Sequence, residues 1–336
     1  MSSGLIFITG ATGFIGGTTA KAALQSGYRL RVSVRQDSQI EKLKGVFSNY
    51  LGRIEFIVVP DITSETAFAG KLEGVDYVFH LASPLPKGID KQQFFPPAVK
   101  GTTAILKEAT KVPSIKKVVI TSSIAALLPV GGLPHGGVIK ENNDWDVCVD
   151  ENADFIGDTD MMTAIRLYQA SKILANQARW KFMETEKPKF TLVTIHPSFV
   201  YGHNVMQITA GEGRGGTNGQ LWDRIMSGTP SGNITYVYVG DVAAAHVKAL
   251  DPRITESTSY LVSGPPATWK DVVDILKRDY PEIPYKIKAD TPGASWPTDT
   301  TKAVTELRMK WTSLEKIVHE VMDQQLRFLS VDSSNI

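Results

Sequence analysis

Tyr168 and Lys172 stand four residues apart in the stretch LYQASKIL, Leu167 to Leu174, with Ser171 between them. On a helix that spacing puts two side chains on one face, so a phenol and an ammonium would lie side by side. A free tyrosine titrates near pH 10, at about 10, and an adjacent cation favours its phenolate. The pair could be a proton donor tuned towards neutrality. It could equally be an ordinary surface contact, and the rest of the chain must separate the two.

The segment Thr9–Gly17 reads TGATGFIGG, with Gly10, Gly13 and Gly16 spaced three apart. It follows Leu5–Thr9, an apolar run suited to a buried strand, and opens a helical pattern over Phe14–Ser26 that stops at Gly27. Glycines at such a strand–helix turn allow a tight bend and let the backbone approach a pyrophosphate, while the helix N-terminus offers N–H donors and positive dipole. Gly10, Thr12, Gly13, Phe14, Ile15 and Gly16 are therefore candidate cofactor contacts. Arg35 ends the next strand, Arg29–Arg35, where the adenosine ribose of a dinucleotide would lie. An acid there suits the 2′-hydroxyl of NAD and an arginine the 2′-phosphate of NADP, so Arg35 predicts NADPH, with Asp37 as the competing reading.

These residues must be carried by alternating elements. Further strands are expected at Ile54–Val59, Val75–Leu81, Lys117–Ser122 and Phe190–His196, with helices over Ala98–Lys111 and Met161–Thr185. Strands alternating with helices imply a parallel sheet covered on both faces. Beyond His196 prolines cluster and the alternation breaks. A helix over Asp241–Leu250, capped by Asp241, and a strand at Ser259–Val262 are still legible, and Gly211–Gly219 reads as a mobile glycine-rich loop. The expected architecture is α/β: a Rossmann-type doubly wound parallel sheet with a smaller C-terminal substrate lobe. Residues 1–196 plus about 234–262 would form the dinucleotide domain, and about 197–233 and 263–330 the lobe.

Composition narrows the partners. The 336 residues are 42% hydrophobic and 21% charged, with a formal net charge of +1, which lacks the basic footprint of a nucleic-acid binder. Cys148 is the single cysteine, so neither an intrachain disulfide nor a cysteine-based zinc site is possible, and no metal is expected. MSSGLIFITG lacks a basic n-region, and no apolar run approaches the ~20 residues that span a bilayer. The expectation is a cytoplasmic protein, monomer or homodimer, with no membrane partner.

TGATGFIG and the Tyr168/Lys172 pair resemble the extended short-chain dehydrogenase/reductase superfamily. With HLASP (80–84) and YQASKILANQARWKF (168–182), the chain is similar to the dihydroflavonol reductase-like branch. That branch holds plant dihydroflavonol and cinnamoyl-CoA reductases and fungal and yeast carbonyl reductases acting on methylglyoxal, isovaleraldehyde and diverse ketones. The resemblance spans essentially the whole chain, strongest before Tyr201. It implies a serine at the end of the fifth strand, where Thr121-Ser122-Ser123 lies, with the second serine, Ser123, as the catalytic one. It further implies cofactor contacts at Asp61 and Ile62, at Leu81, Ala82 and Ser83, at Thr121, at Tyr168 and Lys172 themselves, and at Pro197 and Val200 of HPSFVYG. His80 reads better as a buried or backbone-bonded histidine than as a catalyst.

The expected chemistry is reduction of a ketone or aldehyde. Tyr168 would give its proton to the carbonyl oxygen, Ser123 would hold that oxygen, and Lys172 would lower the tyrosine pKa and bind the nicotinamide ribose. The stretch after Ser123 looks longer than in the yeast reductases, with GGLPHGG inserted. Pocket candidates are Ile124, Leu128, Leu133, Phe199, Tyr201 and Trp222, an apolar set that could also be plain core. Two rivals share the fold: an NAD-retaining nucleotide-sugar epimerase or dehydratase, and a non-catalytic dinucleotide-sensing regulator.

Overall fold

The computed structural model describes residues 4–84, 88–209, 211–213, 216–228, 232, 234–293 and 295–333. Chain order is β1 (Leu5–Thr9), α1 (Phe14–Gln25), β2 (Arg29–Val34), α2 (Ser38–Val46), β3 (Ile54–Val58), β4 (Tyr77–His80), α3 (Lys91–Thr110), β5 (Lys117–Thr121), α4 (Asp160–Glu186) and β6 (Thr191–Pro197). There follow β7 (Phe199–Tyr201), α5 (Gly216–Ser227), β8 (Tyr236–Tyr238), α6 (Val239–Lys248), β9 (Thr258–Val262), α7 (Trp269–Asp279), α8 (Thr301–Glu306) and α9 (Leu314–Ser333). Seven strands pair in the order β3-β2-β1-β4-β5-β6-β9, all parallel. The chain winds outward from β1 to β3, then crosses to β4 and winds the other way. Such a reversal leaves a crevice beyond the carboxyl ends of β1 and β4, where doubly wound sheets bind ligands.

Strand side chains alternate between two cores, as the two-residue period requires. Ile6 and Ile8 of β1, Val119 of β5 and Val193 and Ile195 of β6 face the layer of α1 and α6. Leu5 and Phe7, Val118 and Ile120, and Leu192 face the opposite core with α3 and Phe182 of α4. Small residues set the spacing on the first face: Ala20 and Ala23 of α1 share that core with Val242 and Ala245 of α6. Helix α4 is begun by Thr159, whose hydroxyl accepts from Met162 N–H at 3.2 Å, and ended by Lys187 in the left-handed region at φ 43° before Pro188.

The second lobe has its own core, including Leu221 and Ile225 of α5, Trp269, Val272 and Leu276 of α7, and Val318 and Val321 of α9. Four readings of this half differ from expectation. A two-stranded sheet of β7 and β8 appears, too short at three residues per strand to leave an alternation pattern. Helix α8, expected in the lobe, packs on β9 of the main sheet through Ala303, with the Tyr260 hydroxyl donating to Glu306 at 2.7 Å. Asp241 does not cap α6: the helix begins at Val239, and the carboxylate accepts from Thr312 N–H at 2.8 Å and its hydroxyl at 2.9 Å. The glycine-rich stretch 211–219 is not a loop throughout. Residues 214 and 215 lie outside the described residues, and 216–219 form the first turn of α5, held by Asn218. Its amide donates to Gly202 O at 2.6 Å and accepts from Gly202 N–H at 3.2 Å.

Candidate active site

The crevice begins at the turn after β1. Gly10 has φ +77°, a left-handed conformation, and a Cβ there would stand 2.7 Å from Ala82 N. At Gly16 a Cβ would lie 2.0 Å from Gly10 O, so helix and turn can close only on a glycine. Gly13 is different. It is exposed, its φ is −95°, and a Cβ would meet only Gly10 O at 3.4 Å, so folding alone does not demand a glycine there. A cradle that the fold leaves open at the N-terminus of α1 fits a pyrophosphate needing close approach.

The segment after β4 lies across from this turn. Ala82 N–H donates to Thr9 Oγ1 at 3.0 Å, and Thr9 Oγ1 is 2.9 Å from His80 Nδ1. His80 also bonds the Gly101 carbonyl, so its ring is a buried structural link; burial and the Lys172 charge push its pKa down to about 4. Ser83, next along, accepts a hydrogen bond from Lys172 Nζ at 2.9 Å. Lys172 in turn lies 5.4 Å from the Tyr168 ring centroid. The tyrosine ring is 38% exposed, and its hydroxyl bonds to no described residue. The expected pair is thus on the face of α4 turned to the crevice, one helical turn apart.

The serines after β5 divide their work. Ser122 Oγ accepts from the Arg179 guanidinium at 3.0 Å and is committed to it. Ser123 Oγ accepts only from Ala125 N–H at 3.1 Å, opening a 3₁₀ turn at Ile124–Leu127, which leaves its own proton to donate. Thr121 is spent differently from expectation. Its hydroxyl is 2.7 Å from His246 Nε2, and the other nitrogen of that ring must donate to Val242 O at 2.8 Å, so the threonine is the donor. Its oxygen keeps lone pairs that can still accept from a dinucleotide.

After β2, Arg35 is exposed and has no ion pair among the described residues. Asp61 accepts from the Thr63 hydroxyl at 2.7 Å and its N–H at 2.8 Å; these bonds, with Arg35 nearby, hold its carboxyl below the usual range. Ile62 packs partly into the core beside Gly101, and Leu81 packs on the opposite core. Pro197 closes β6 opposite Val262, and Val200 is buried in β7.

The expected pocket set is largely interior. Ile124 and Leu128 are buried in a small core with Ile139 and Leu261, and Tyr201 is buried in the lobe, where burial pushes its phenol up to about 12. The chain after the insertion bridges to the C-terminal segment at Ile139–Thr298, and Ile139 packs in the core that holds Ile124 and Leu128. Leu133, Phe199 and Trp222 are half-buried; Phe199 packs on Trp296 with ring centroids 6.1 Å apart. A cavity of about 580 Å³ opens instead on the flank of α4, between Val130, Phe155, Met162, Ile165 and Gln169. None of the expected pocket residues lines it.

The sequence reading passed over Arg179, Asn176 and His196 as site residues, since nothing in a helical pattern marks one arginine as buried. Among the described residues, no helix is long and apolar enough to cross a membrane. A cluster of Asp279, Glu315 and His319 could offer metal-ligand atoms, but Arg278 already pairs with both acids.

Comparison with known proteins bears on the family and the fold. Residues 6–262 match the NAD dependent epimerase/dehydratase family. The chain is 50% identical over 335 residues to the ketoreductase sphI of Aspergillus fumigatus, covering 98% of this chain and 100% of that one. It is 32% identical over 300 residues to the ketoreductase CTB6 of Cercospora beticola, covering 84% and 82%. Among solved structures it superposes on the yeast methylglyoxal/isovaleraldehyde reductase Gre2 complexed with NADPH at a TM-score of 0.80 and 26% identity, covering 97% and 99%.

Proposed function

The chain belongs to the NAD dependent epimerase/dehydratase family, and from that premise we propose that it is an NADPH-dependent reductase converting a ketone or aldehyde to an alcohol. The observation that carries the reading is the hydrogen bond from Lys172 Nζ to Ser83 Oγ at 2.9 Å. It ties the tyrosine helix to the segment packed against the glycine turn, which supports a reading in which Tyr168 and the glycine turn serve one crevice. Relatives named as ketoreductases, and a structural neighbour complexed with NADPH, support the same class.

NADPH, when bound, supplies the hydride. The Gly10–Gly16 turn would hold its pyrophosphate and Arg35 its 2′-phosphate, while Asp61 and Ile62 border the adenine end. The residues of the chain do the rest. The Tyr168 hydroxyl, bonded to no described residue, donates its proton to the carbonyl oxygen as that oxygen gains charge. The Ser123 hydroxyl donates a hydrogen bond to the same oxygen and fixes it. The Lys172 ammonium stabilises the phenolate left on Tyr168.

The test is a panel of ketones and aldehydes, followed by NADPH absorbance for the parent and Tyr168→Phe. Consumption of NADPH in proportion to alcohol formed, lost in the variant, is the expected result. Turnover without net NADPH oxidation would overturn the reductase reading in favour of an epimerase that retains its cofactor. Near-parent turnover in Tyr168→Phe would overturn the proton-donor role.

A further inference from the structure

Arg179 is 2% exposed, and no carboxylate pairs with it among the described residues. A buried cation without a counter-charge costs several kcal/mol, of the order seen for uncompensated buried ions. A leucine or methionine would fill the same space at no such cost, so what the position uses is the guanidinium's directed donors.

Those donors go to few places. Nη2 donates to Ser122 Oγ at 3.0 Å and to Asn176 Oδ1, and lies 3.4 Å from His196 Nε2; Nε has no partner among the described residues. The His196 ring passes the restraint on. Its Nδ1 is 3.1 Å from the Ser123 carbonyl, which can only accept, so Nδ1 carries the proton and Nε2 presents its lone pair to both the Thr194 hydroxyl at 3.0 Å and the guanidinium at 3.4 Å. Ser122 N–H is also fixed, to Ile195 O at 2.7 Å. The guanidinium holds the hydroxyl of one serine directly, and it borders the imidazole, shared with Thr194, that holds the carbonyl of the next.

Helical spacing gives the arrangement its use. Arg179 follows Lys172 by seven residues and Tyr168 by eleven, near multiples of the 3.6-residue turn, so all three lie on one face of α4. We propose that Arg179 is a positioning residue that clamps the Ser122–Ser123 backbone to the helix carrying Tyr168, setting the serine hydroxyl and the phenol in register. The proposal rests on the reading of Ser123 and Tyr168 given above. It needs no movement of Arg179 and no contact between Arg179 and substrate.

The experiment is a double-mutant cycle in steady-state kinetics with NADPH and an accepted ketone. Arg179→Leu should lower kcat at least about tenfold while leaving the KM for NADPH within about twofold, and Arg179→Lys should recover part of the loss. In a Ser123→Ala background the same Arg179→Leu change should cost less than about twofold, because the group it positions is gone. Ser122→Ala removes the acceptor without unburying a charge, and supplies the same comparison if Arg179→Leu does not fold; its smaller loss should also vanish in the Ser123→Ala background. Equal losses in both backgrounds would overturn the positioning role and leave Ser123 in place. Full activity in Ser123→Ala alone would remove the reading on which the proposal stands.

Discussion

The Lys172 ammonium donates a 2.9 Å hydrogen bond to the Ser83 hydroxyl, across 89 positions of sequence. It joins the middle of α4 to the end of β4, the two elements that bracket the crevice. Without it, the lysine side chain is free to leave the phenol it accompanies. Ser83→Ala should therefore raise the KM for NADPH a few-fold and lower kcat modestly. Lys172→Met should lower kcat by at least about tenfold more, since it also removes the charge beside the phenol. Identical kinetics in both variants, from initial rates, would contradict this division.

Tyr168→Phe separates chemistry from folding. The ring is 38% exposed and its hydroxyl bonds to no described residue, so thermal stability should not change. Turnover should fall about 10²–10⁴-fold, the usual contribution of a positioned proton donor. NADPH binding, followed by fluorescence, should stay within about twofold of the parent.

Glycines of one motif should fail in different ways. Gly16→Ala forces a methyl to 2.0 Å from Gly10 O and should destabilise by about 3 kcal/mol or more, the upper end for overpacking, with aggregation on expression. Gly13→Ala meets only a 3.4 Å contact and should melt like the parent. It should nonetheless bind NADPH at least about tenfold more weakly. A Gly13→Ala protein with normal cofactor affinity would remove this residue from the binding turn.

Arg35→Ala tests the cofactor. The side chain has no ion pair to lose among the described residues, so the fold should be indifferent. The KM for NADPH should rise at least about tenfold while that for NADH changes little. Equal changes for both would shift the assignment to Asp37.

Acid stability should be set by buried histidines. Burial holds His80 and His246 at about 4 and His196 at about 3, below the ordinary 6.5. At neutral pH all are uncharged in both folded and unfolded chains. As pH falls below 6.5 the unfolded chain takes up protons that the folded one refuses, so stability declines down to about pH 4. Each group costs up to about 1.4 kcal/mol per pH unit over that window. Urea midpoints measured from pH 7 to pH 4 should fall accordingly, and His246→Gln should flatten the slope.

What the sequence determined was local. The strand, glycine turn and helix at Leu5–Gln25 are legible because φ limits, helix capping and short-range periodicity act within a few residues. The same holds for Tyr168 and Lys172, whose proximity follows from helical pitch alone. That the strands run parallel follows from the alternation of elements, since each crossover needs its helix; their order does not. Tertiary packing decided the rest. Ser122 and Ser123 are chemically identical neighbours, and only the arrival of Arg179 from α4 occupies one and spares the other. The Thr121 hydroxyl proton is aimed at His246, 125 positions away, a partner that no local pattern announces. Ile124, Leu128 and Tyr201 are apolar whether they line a cleft or fill a core; packing with Ile139 and Leu261 buries the first two, and packing in the lobe core buries the third. Hydrogen-bond partners and burial depend on which surfaces meet, and a linear pattern carries no record of that.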